Sequence, residues 1–387
     1  MSEAGTRVAV VGAGMAGAAC ARFMADAGLD VQVFDKSRGV GGRMATRRAD
    51  WNADDGGAHQ ARFDHGAPGF SAHSPEFVRF VEQAHRDGLL SHWVPRLAPH
   101  GCAPLDDPAL WVPTPDMPAL CRNLLTGVAV QTGCTVDALR RSAAGWSLES
   151  AGSTIGEGFG AVIVAIPPQQ AATLLGPHRA DWARRAQALP MLPCWVLMGV
   201  AADEDPIPGW DFGGPASGPL AWVVRNDAKP GRKRVPGTAH WVAHATASWS
   251  QTHLESPAAD VRAALQAALD EWLGRSLKWH HTAVHRWRYA SVPRATSLVM
   301  ATASRCWWDA RSGLGVCGDA LGGAGVDGAW CSARALATAV VDLRPEAQVL
   351  GHQTSSPPAQ SGEAAISEKA AVQAAMGARG HVGGARA

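Results

Sequence analysis

The sequence predicts an α/β fold in which a dinucleotide-binding domain, built on a largely parallel sheet, carries an inserted α+β domain with an antiparallel sheet. Three observations predict it. Near the N-terminus, "TRVAVVGAGMAGAACARFMADAGLDVQVFD" reads as strand, glycine turn, helix and second strand within one βαβ length. Far along the chain, "GLGVCGDALGGAGVDGAWCSARALATAVV" again reads as strand, loop and helix. Between them, short runs rich in tryptophan and β-branched residues alternate with polar turns, the composition of antiparallel strands.

In the first unit Gly12 permits a tight turn, Gly14 lets a pyrophosphate approach the backbone, and Gly17 lets the helix lie close to the sheet. Asp35 closes the second strand, where its carboxylate suits a ribose 2′-hydroxyl and repels a 2′-phosphate, so NADP is disfavoured in this slot. A glycine motif alone is weak, but here strand, helix and terminal acid all fall in place around it. The chain then continues "VFDKSRGVGGRMATRR", in which Gly39, Gly41, Gly42 and Arg43 form a second permissive loop ending in a cation. A simple NAD domain needs nothing there. Folded back over the pyrophosphate, with Arg43 neutralising charge, the loop favours FAD; a solvated basic turn is the alternative.

Pro167 and Pro168 end the strand "AVIVAI", and the tryptophan-rich region follows. "CWVLMGV", "LAWVVRN", "HWVAHATASW" and "KWHHTAVHRWRY" read as strands. One helix interrupts them, with Ser256 as N-cap, Pro257 at N1 and a stripe of Val261, Leu265, Leu269 and Trp272. Alternation puts Trp241, Ala243, Ala245, Ala247 and Trp249 on one face and Val242, His244, Thr246 and Ser248 on the other. His244 therefore either looks into an active site or faces solvent. Most tryptophans should fill the core. Trp287 and Arg288 are candidate cavity residues, and Arg225 either grips an anionic substrate group or sits in a surface turn. His281 and His285 share a strand face with no acid or cysteine to complete a coordination shell, so no metal is expected. In the distal segment Gly318 and Asp319 end a strand, with Asp319 reaching a polar part of the cofactor. Asp327 caps a helix starting near Gly328; that helix either aims its N-terminus at the flavin or merely follows a glycine turn.

Composition narrows the function. The 387 residues are 47% hydrophobic and 18% charged with a net charge of +1, which suits more than one domain and lacks the basic excess of a nucleic-acid binder. "MSEAGTR" has no signal-peptide character and no apolar run reaches a membrane span, so the expectation is a cytoplasmic protein with no membrane partner. The 8 cysteines are scattered singly, the pattern of reduced thiols. No G-x-S-x-G, H-E-x-x-H or Walker loop supplies a protein nucleophile, metal or phosphate chemistry, and a hydride-accepting flavin needs none of them.

In order along the chain, "GAGMAG", "DKSRGVGGRMATRR", "FDHGA", "WVPTPDMPAL", "VIVAIPPQQA", "PCWVLM", "HATASWSQTHLE", "HRWRYA" and "GLGVCGDALGGAGVDGAW" resemble the renalase-like family of FAD-dependent oxidoreductases, relatives of the flavin amine oxidases. The "KSRGxGGRMATRR" form is the most specific, and the resemblance runs to about Leu343. It implies an FAD domain of the amine-oxidase and p-hydroxybenzoate-hydroxylase type assembled from residues 1–75, 115–168 and 305–345, with a substrate domain from 76–114 and 169–304. Residues 350–387, poor in large apolar side chains, are expected to be a disordered tail. The implied FAD contacts are Gly12, Gly14, Ala16, Gly17, Asp35, Gly42, Arg43 and Met44, joined by Pro68, Gly69, Gly318, Asp319 and Val326. Many relatives have Gln-Tyr where this chain has Pro68-Gly69, so the flavin edge should differ. The implied reaction is oxidation of 2- and 6-dihydro-NAD(P) isomers to NAD(P)+, with hydride taken by flavin N5 and O2 reduced to H2O2. His244, Trp287 and Arg288 are the candidates for contact with substrate. The alternatives are an amine oxidase, a monooxygenase, a biosynthetic dehydrogenase, or a non-catalytic flavin- or NAD-binding sensor. A single tyrosine, Tyr289, rules out a two-tyrosine cage for an amine, although tryptophan could substitute in one.

Overall fold

The computed structural model describes residues 7–52, 57–99, 107, 109–203, 209–293, 296 and 304–342. The strands of the first half are β1 (Arg7–Val11), β2 (Asp30–Asp35), β3 (Arg47–Asn52), β4 (Ala58–Phe63), β5 (Leu90–Trp93), β6 (Leu110–Pro113), β7 (Ala129–Thr132), β8 (Ala138–Ser142), β9 (Gly145–Ser150), β10 (Ser153–Phe159) and β11 (Ala161–Val164). The second half contributes β12 (Leu192–Ala202), β13 (Phe212–Gly213), β14 (Leu220–Arg225), β15 (Thr238–Ala245), β16 (Trp279–Ser291), β17 (Trp307–Asp309) and β18 (Leu314–Val316). Helices α1 (Met15–Asp26), α2 (Pro75–Arg86), α3 (Ala119–Leu124), α4 (Pro168–Leu175), α5 (Ala180–Ala188), α6 (Ala247–Thr252) and α7 (Ala258–Leu273) lie between them, and the helix Gly325–Asp342 closes the described chain.

Among the described residues the main sheet has the order β17-β18-β11-β1-β2-β7. The β1 strand pairs in parallel with β2 and β11, and β18 pairs in parallel with β11. Both glycine-rich segments therefore feed one sheet, as the sequence predicts. Its central strands, β11 throughout and β1 after Arg7, are apolar and buried because both faces are covered. On one face, the small residues Ala18, Ala19 and Ala21 of α1 share a core with Ala333, Leu336 and Ala337 of the last helix, and Phe23 meets Trp330 edge-on at 5.4 Å. On the other, Trp146, Leu148 and Phe159 of the β8–β9–β10 sheet join Leu174, Leu175 and Trp182 of α4 and α5.

The tryptophan-rich region forms a second sheet, ordered β13-β14-β15-β12-β16 and antiparallel throughout. Helix α7 lays Val261, Leu265 and Leu269 against Leu197, Trp241 and Ala243 on one face. The β3–β4 hairpin covers the other, bringing Ala49, Ala61 and Phe63 against Val196, Met198 and Val242. Trp195, Trp210 and Trp241 are buried in this core and Trp249, Trp272 and Trp279 pack against it half-buried, whereas Trp222 and Trp287 line a cavity.

The structure corrects three local readings. The alternation assumed along "HWVAHATASW" stops at Ala245: Thr246 accepts a hydrogen bond from Trp249 N at 3.2 Å and starts α6. The N-cap of α7 is Pro257 and Ser256 lies just before it, because Pro257 is extended rather than helical. Arg225 is neither a surface residue nor a cavity residue; it is 2% exposed, paired with Asp227 at 3.2 Å and stacked over Trp241. Among the described residues no helix is long and apolar enough to cross a membrane, and no group of three or more His, Cys, Asp or Glu is arranged to hold a metal. The expected tail, 350–387, lies outside the described residues.

Candidate cofactor and substrate cavity

The C-terminal ends of β1, β2, β11 and β18 open into one large cavity of about 1850 Å³, which runs on to β12, β14, β15 and β16 of the second sheet. Carboxyl ends of parallel strands are where ligands bind in such sheets.

The phosphate-type end is built by two glycine loops. Gly12 has φ +106°, and a Cβ there would lie 2.5 Å from the Ala165 carbonyl. Gly17 does not line the cavity; a Cβ on it would lie 1.8 Å from Gly12 O, so its hydrogen lets α1 rest on the turn. Met15 and Ala16, at the start of α1, line the cavity beside Gly12 and Gly14, where the first N–H groups of a helix have no partner within it. The second loop folds over the first. Gly41 N donates to Ala13 O at 2.9 Å, and a Cβ on Gly42, itself at φ +55°, would sit 3.1 Å from Gly14 Cα. The loop after Asp35 thus lies against the Rossmann turn, as the sequence predicts.

Asp35 holds these loops in shape as well as facing the cavity. Its carboxylate accepts the backbone N–H of Ala13 and of Ser37, each at 2.7 Å. Arg43 and Asp319 also line the cavity, but they grip each other: two hydrogen bonds of 2.7 Å join guanidinium to carboxylate, and a third from Arg43 reaches Ala290 O at 3.2 Å. Sequence reading assigned both to the cofactor separately and missed this link. Asp327 does not cap its own helix. It accepts from His73 N and from both Ser74 N and Ser74 Oγ, so it anchors the entry to α2. Met44, Pro68, Gly318 and Val326 line the cavity, whereas Gly69 is not brought to it; a Cβ there would lie 3.0 Å from Leu110.

The other end is aromatic. Trp287 donates from Nε1 to His65 O at 2.9 Å, its ring stacks on His65 at 5.2 Å, and His285 meets it edge-on at 4.5 Å. His244 lies flat on Trp222 at 3.5 Å between ring centroids, beside Cys194. All of these residues line the cavity, as does Tyr289. Burial pushes the His65 and His285 imidazoles down to about 4, helped by His285 in the first case and by Arg47 in the second. Burial also holds His244 well below its ordinary value. Near neutral pH the three are uncharged.

Of the three residues expected at the substrate, His244 and Trp287 are thus in the aromatic end. Arg288 lies at the exposed rim, where it and Arg286 both bind Glu255. Sequence reading did not select His65, Cys194 or Trp222, although "FDHGA" and "PCWVLM" contain two of them. Beneath His65, fully buried Asp64 accepts from Thr46 at 2.6 Å, Arg232 at 2.9 Å and Lys229 at 3.1 Å, which ties the hairpin to the second sheet.

Bare glycine backbone, the start of a helix and a strand-terminal carboxylate make a cradle that could hold the diphosphate and ribose of a dinucleotide. The aromatic end leaves room beside it for a ring.

Comparison with known proteins agrees with this arrangement. Residues 10–84 match the family described as NAD(P)-binding Rossmann-like domain, and residues 109–341 match that described as flavin containing amine oxidoreductase. Among solved structures, a protein from Exiguobacterium sp. 255-15 with the provisional description protoporphyrinogen oxidase is similar over 88% of this chain and 99% of its own, at 12% identity and TM-score 0.66. A triple mutant of putrescine oxidase is similar over 87% and 98%, at 15% identity and TM-score 0.59. An oxidoreductase from Methanosarcina mazei covers 85% and 99%, at 14% identity and TM-score 0.53. At these identities the likeness is one of fold.

Proposed function

This chain belongs to the flavin containing amine oxidoreductase family, with FAD as its cofactor, and from that premise we propose that it oxidises dihydronicotinamide dinucleotides. Its substrates are the 2- and 6-dihydro isomers of NAD(P), its product is NAD(P)+, and O2 is the final acceptor. The observation that carries this reading is the character of the aromatic end: tryptophan faces, uncharged imidazoles and a rim of arginines, with no free carboxylate.

The carboxylates that line the cavity are Asp35, Asp116, Asp137 and Asp319. Asp35 is committed to Ala13 and Ser37, Asp116 to Arg122 at 2.6 Å, Asp137 to Ala151 N at 2.6 Å, and Asp319 to Arg43. An alkylammonium group would find Asp116 and Asp319 already paired with arginine, and no pair of tyrosines. The lining cations Arg38, Arg47 and Arg48 suit phosphates on both cofactor and substrate, while Arg286 and Arg288 share the one carboxylate of Glu255.

Within this reading Gly12, Gly14, Ala16, Gly42 and Met44 hold the diphosphate side of FAD, Asp35 its ribose, and Pro68, Gly318 and Val326 its ring. Bound FAD supplies the hydride acceptor. Trp222 and Trp287 offer flat faces that orient a planar donor. A dihydronicotinamide becomes aromatic on losing hydride, so the step needs no strong base, and imidazoles held neutral far below pH 7 provide none.

Anaerobic mixing of FAD-loaded protein with purified 2-, 4- and 6-dihydro-NAD(P)H tests it through the flavin absorbance. Rapid bleaching by the 2- and 6-isomers, with slow or no bleaching by the 4-isomer and by putrescine, is the expected outcome. Faster reduction by an amine would move the protein to the amine oxidases, and by ordinary 4-dihydro-NADPH to the monooxygenases.

A further inference from the structure

His244 is 8% exposed and lines the cavity, yet its Nε2 is buried without any hydrogen-bond partner. A buried polar atom left unpaired is costly, so one on a side chain that lines a cavity is a candidate to receive a ligand's hydrogen bond. The His244 ring lies flat on Trp222 with an interplanar angle of 24°, which fixes the plane in which Nε2 can meet a partner.

The other ring nitrogen decides what Nε2 presents. His244 Nδ1 lies 3.6 Å from Cys194 Sγ, and the same sulfur lies 3.5 Å from Ala245 O and 3.4 Å from Trp195 O. Two arrangements of the protons are possible. If the thiol donates to Nδ1, the proton sits on Nε2, and the site makes one hydrogen bond while a donor is left unpaired. If the thiol donates to a backbone carbonyl, Nδ1–H donates to sulfur, and both protons are used. The second arrangement satisfies every donor and leaves Nε2 as a bare lone pair. Burial supports both neutral forms: the thiol is pushed up to about 12 and the imidazole well below its ordinary value.

We infer that Cys194 fixes the tautomer of His244 so that Nε2 accepts a hydrogen bond from the carboxamide N–H of the dihydronicotinamide, which makes this pair the determinant of carboxamide over carboxylate substrates. The inference rests on the substrate reading above. His244 is the contact, and Cys194 is a positioning residue that acts through it. A carboxamide brings the donor that the lone pair lacks. A nicotinic acid ring brings only lone pairs and a negative charge, set against an imidazole that burial keeps from protonating. Sites built around a buried hydrogen-bonding atom reject the analogue that cannot pair with it much more strongly than apolar pockets reject a change of shape.

The test compares kcat/KM for 6-dihydro-NAD with that for its nicotinic acid counterpart, in holoprotein carrying the native residue, Cys194→Ser or Cys194→Ala. Native protein is expected to prefer the carboxamide by about 10- to 100-fold. Cys194→Ser, which keeps a donor to the carbonyl and an acceptor for Nδ1–H, retains most of that preference. Cys194→Ala frees the tautomer and brings the preference to within about threefold of unity. Nitrogen chemical shifts of ¹⁵N-histidine-labelled holoprotein, assigned with His244→Gln, read the tautomer without turnover: a protonated Nδ1 is expected. A protonated Nε2, or equal use of the two rings by native protein, overturns the inference while the dihydronicotinamide reading stands. If neither ring reduces the flavin, the substrate reading fails and the inference with it.

Discussion

His65 shows how one side chain ties stability to chemistry. Its imidazole titrates at about 4 in the fold and at 6.5 in the unfolded chain, chiefly because it is buried. Above pH 6.5 neither state is protonated and the group costs nothing. As pH falls from 6.5 to about 4 the unfolded chain takes up a proton that the fold refuses, so stability is lost across that window, by up to about 3 kcal/mol from His65 alone. Denaturant midpoints at pH 7.5, 6, 5 and 4 should fall accordingly, and in His65→Gln the fall should be smaller. Asp64 is the second case. It neutralises two cations that are at most 5% exposed, Lys229 and Arg232, so Asp64→Asn leaves buried charge unpaired and should cost about 3–5 kcal/mol by chemical denaturation. Legibility followed distance along the chain. Gly12, Gly14, Gly17 and Asp35 were readable because one local motif fixes their roles. The Arg43–Asp319 pair, 276 positions apart, depends on which strands share one sheet, and the Trp287–His65 contact, 222 positions apart, on how the hairpin meets the second sheet; neither leaves a local trace.

The elements carry the next lesson. Both glycine-rich segments and each tryptophan-rich strand were legible, since unbroken apolar runs and period-two alternation are strong signals. Boundaries were not: Thr246 continues a strand pattern by composition but acts as an N-cap, and that exchange is decided by one side-chain hydrogen bond. The turn from β1 into α1 is the least forgiving joint, because the helix touches the loop with no space for a methyl group. Gly17→Ala should therefore yield protein that retains the second sheet but loses FAD, seen as colourless material after purification with excess cofactor. Leu265→Ala, in the core between α7 and the second sheet and far from the glycine loops, should instead cost about 2–5 kcal/mol of stability while leaving the protein yellow.

Across the molecule, one parallel sheet supplies glycine loops and one antiparallel sheet supplies an aromatic wall, and a single cavity joins them. Sequence alone separated the two sheets but could not show that the cavity is continuous, because the halves are locked together by the pairing of Asp64 with Lys229 and Arg232 and by the Arg43 bond to Ala290 O, which no periodicity reveals. The functional reading requires that the glycine-lined end be filled by FAD. Titration of folded, cofactor-stripped protein with FAD, followed by tryptophan fluorescence and the visible flavin band, measures this most directly. Saturation at one FAD per chain, with quenching of tryptophan emission as Trp222 and Trp287 come beside the flavin, is the expected result. Folded protein that leaves FAD free in solution, or that prefers NADP to it, would contradict the assignment.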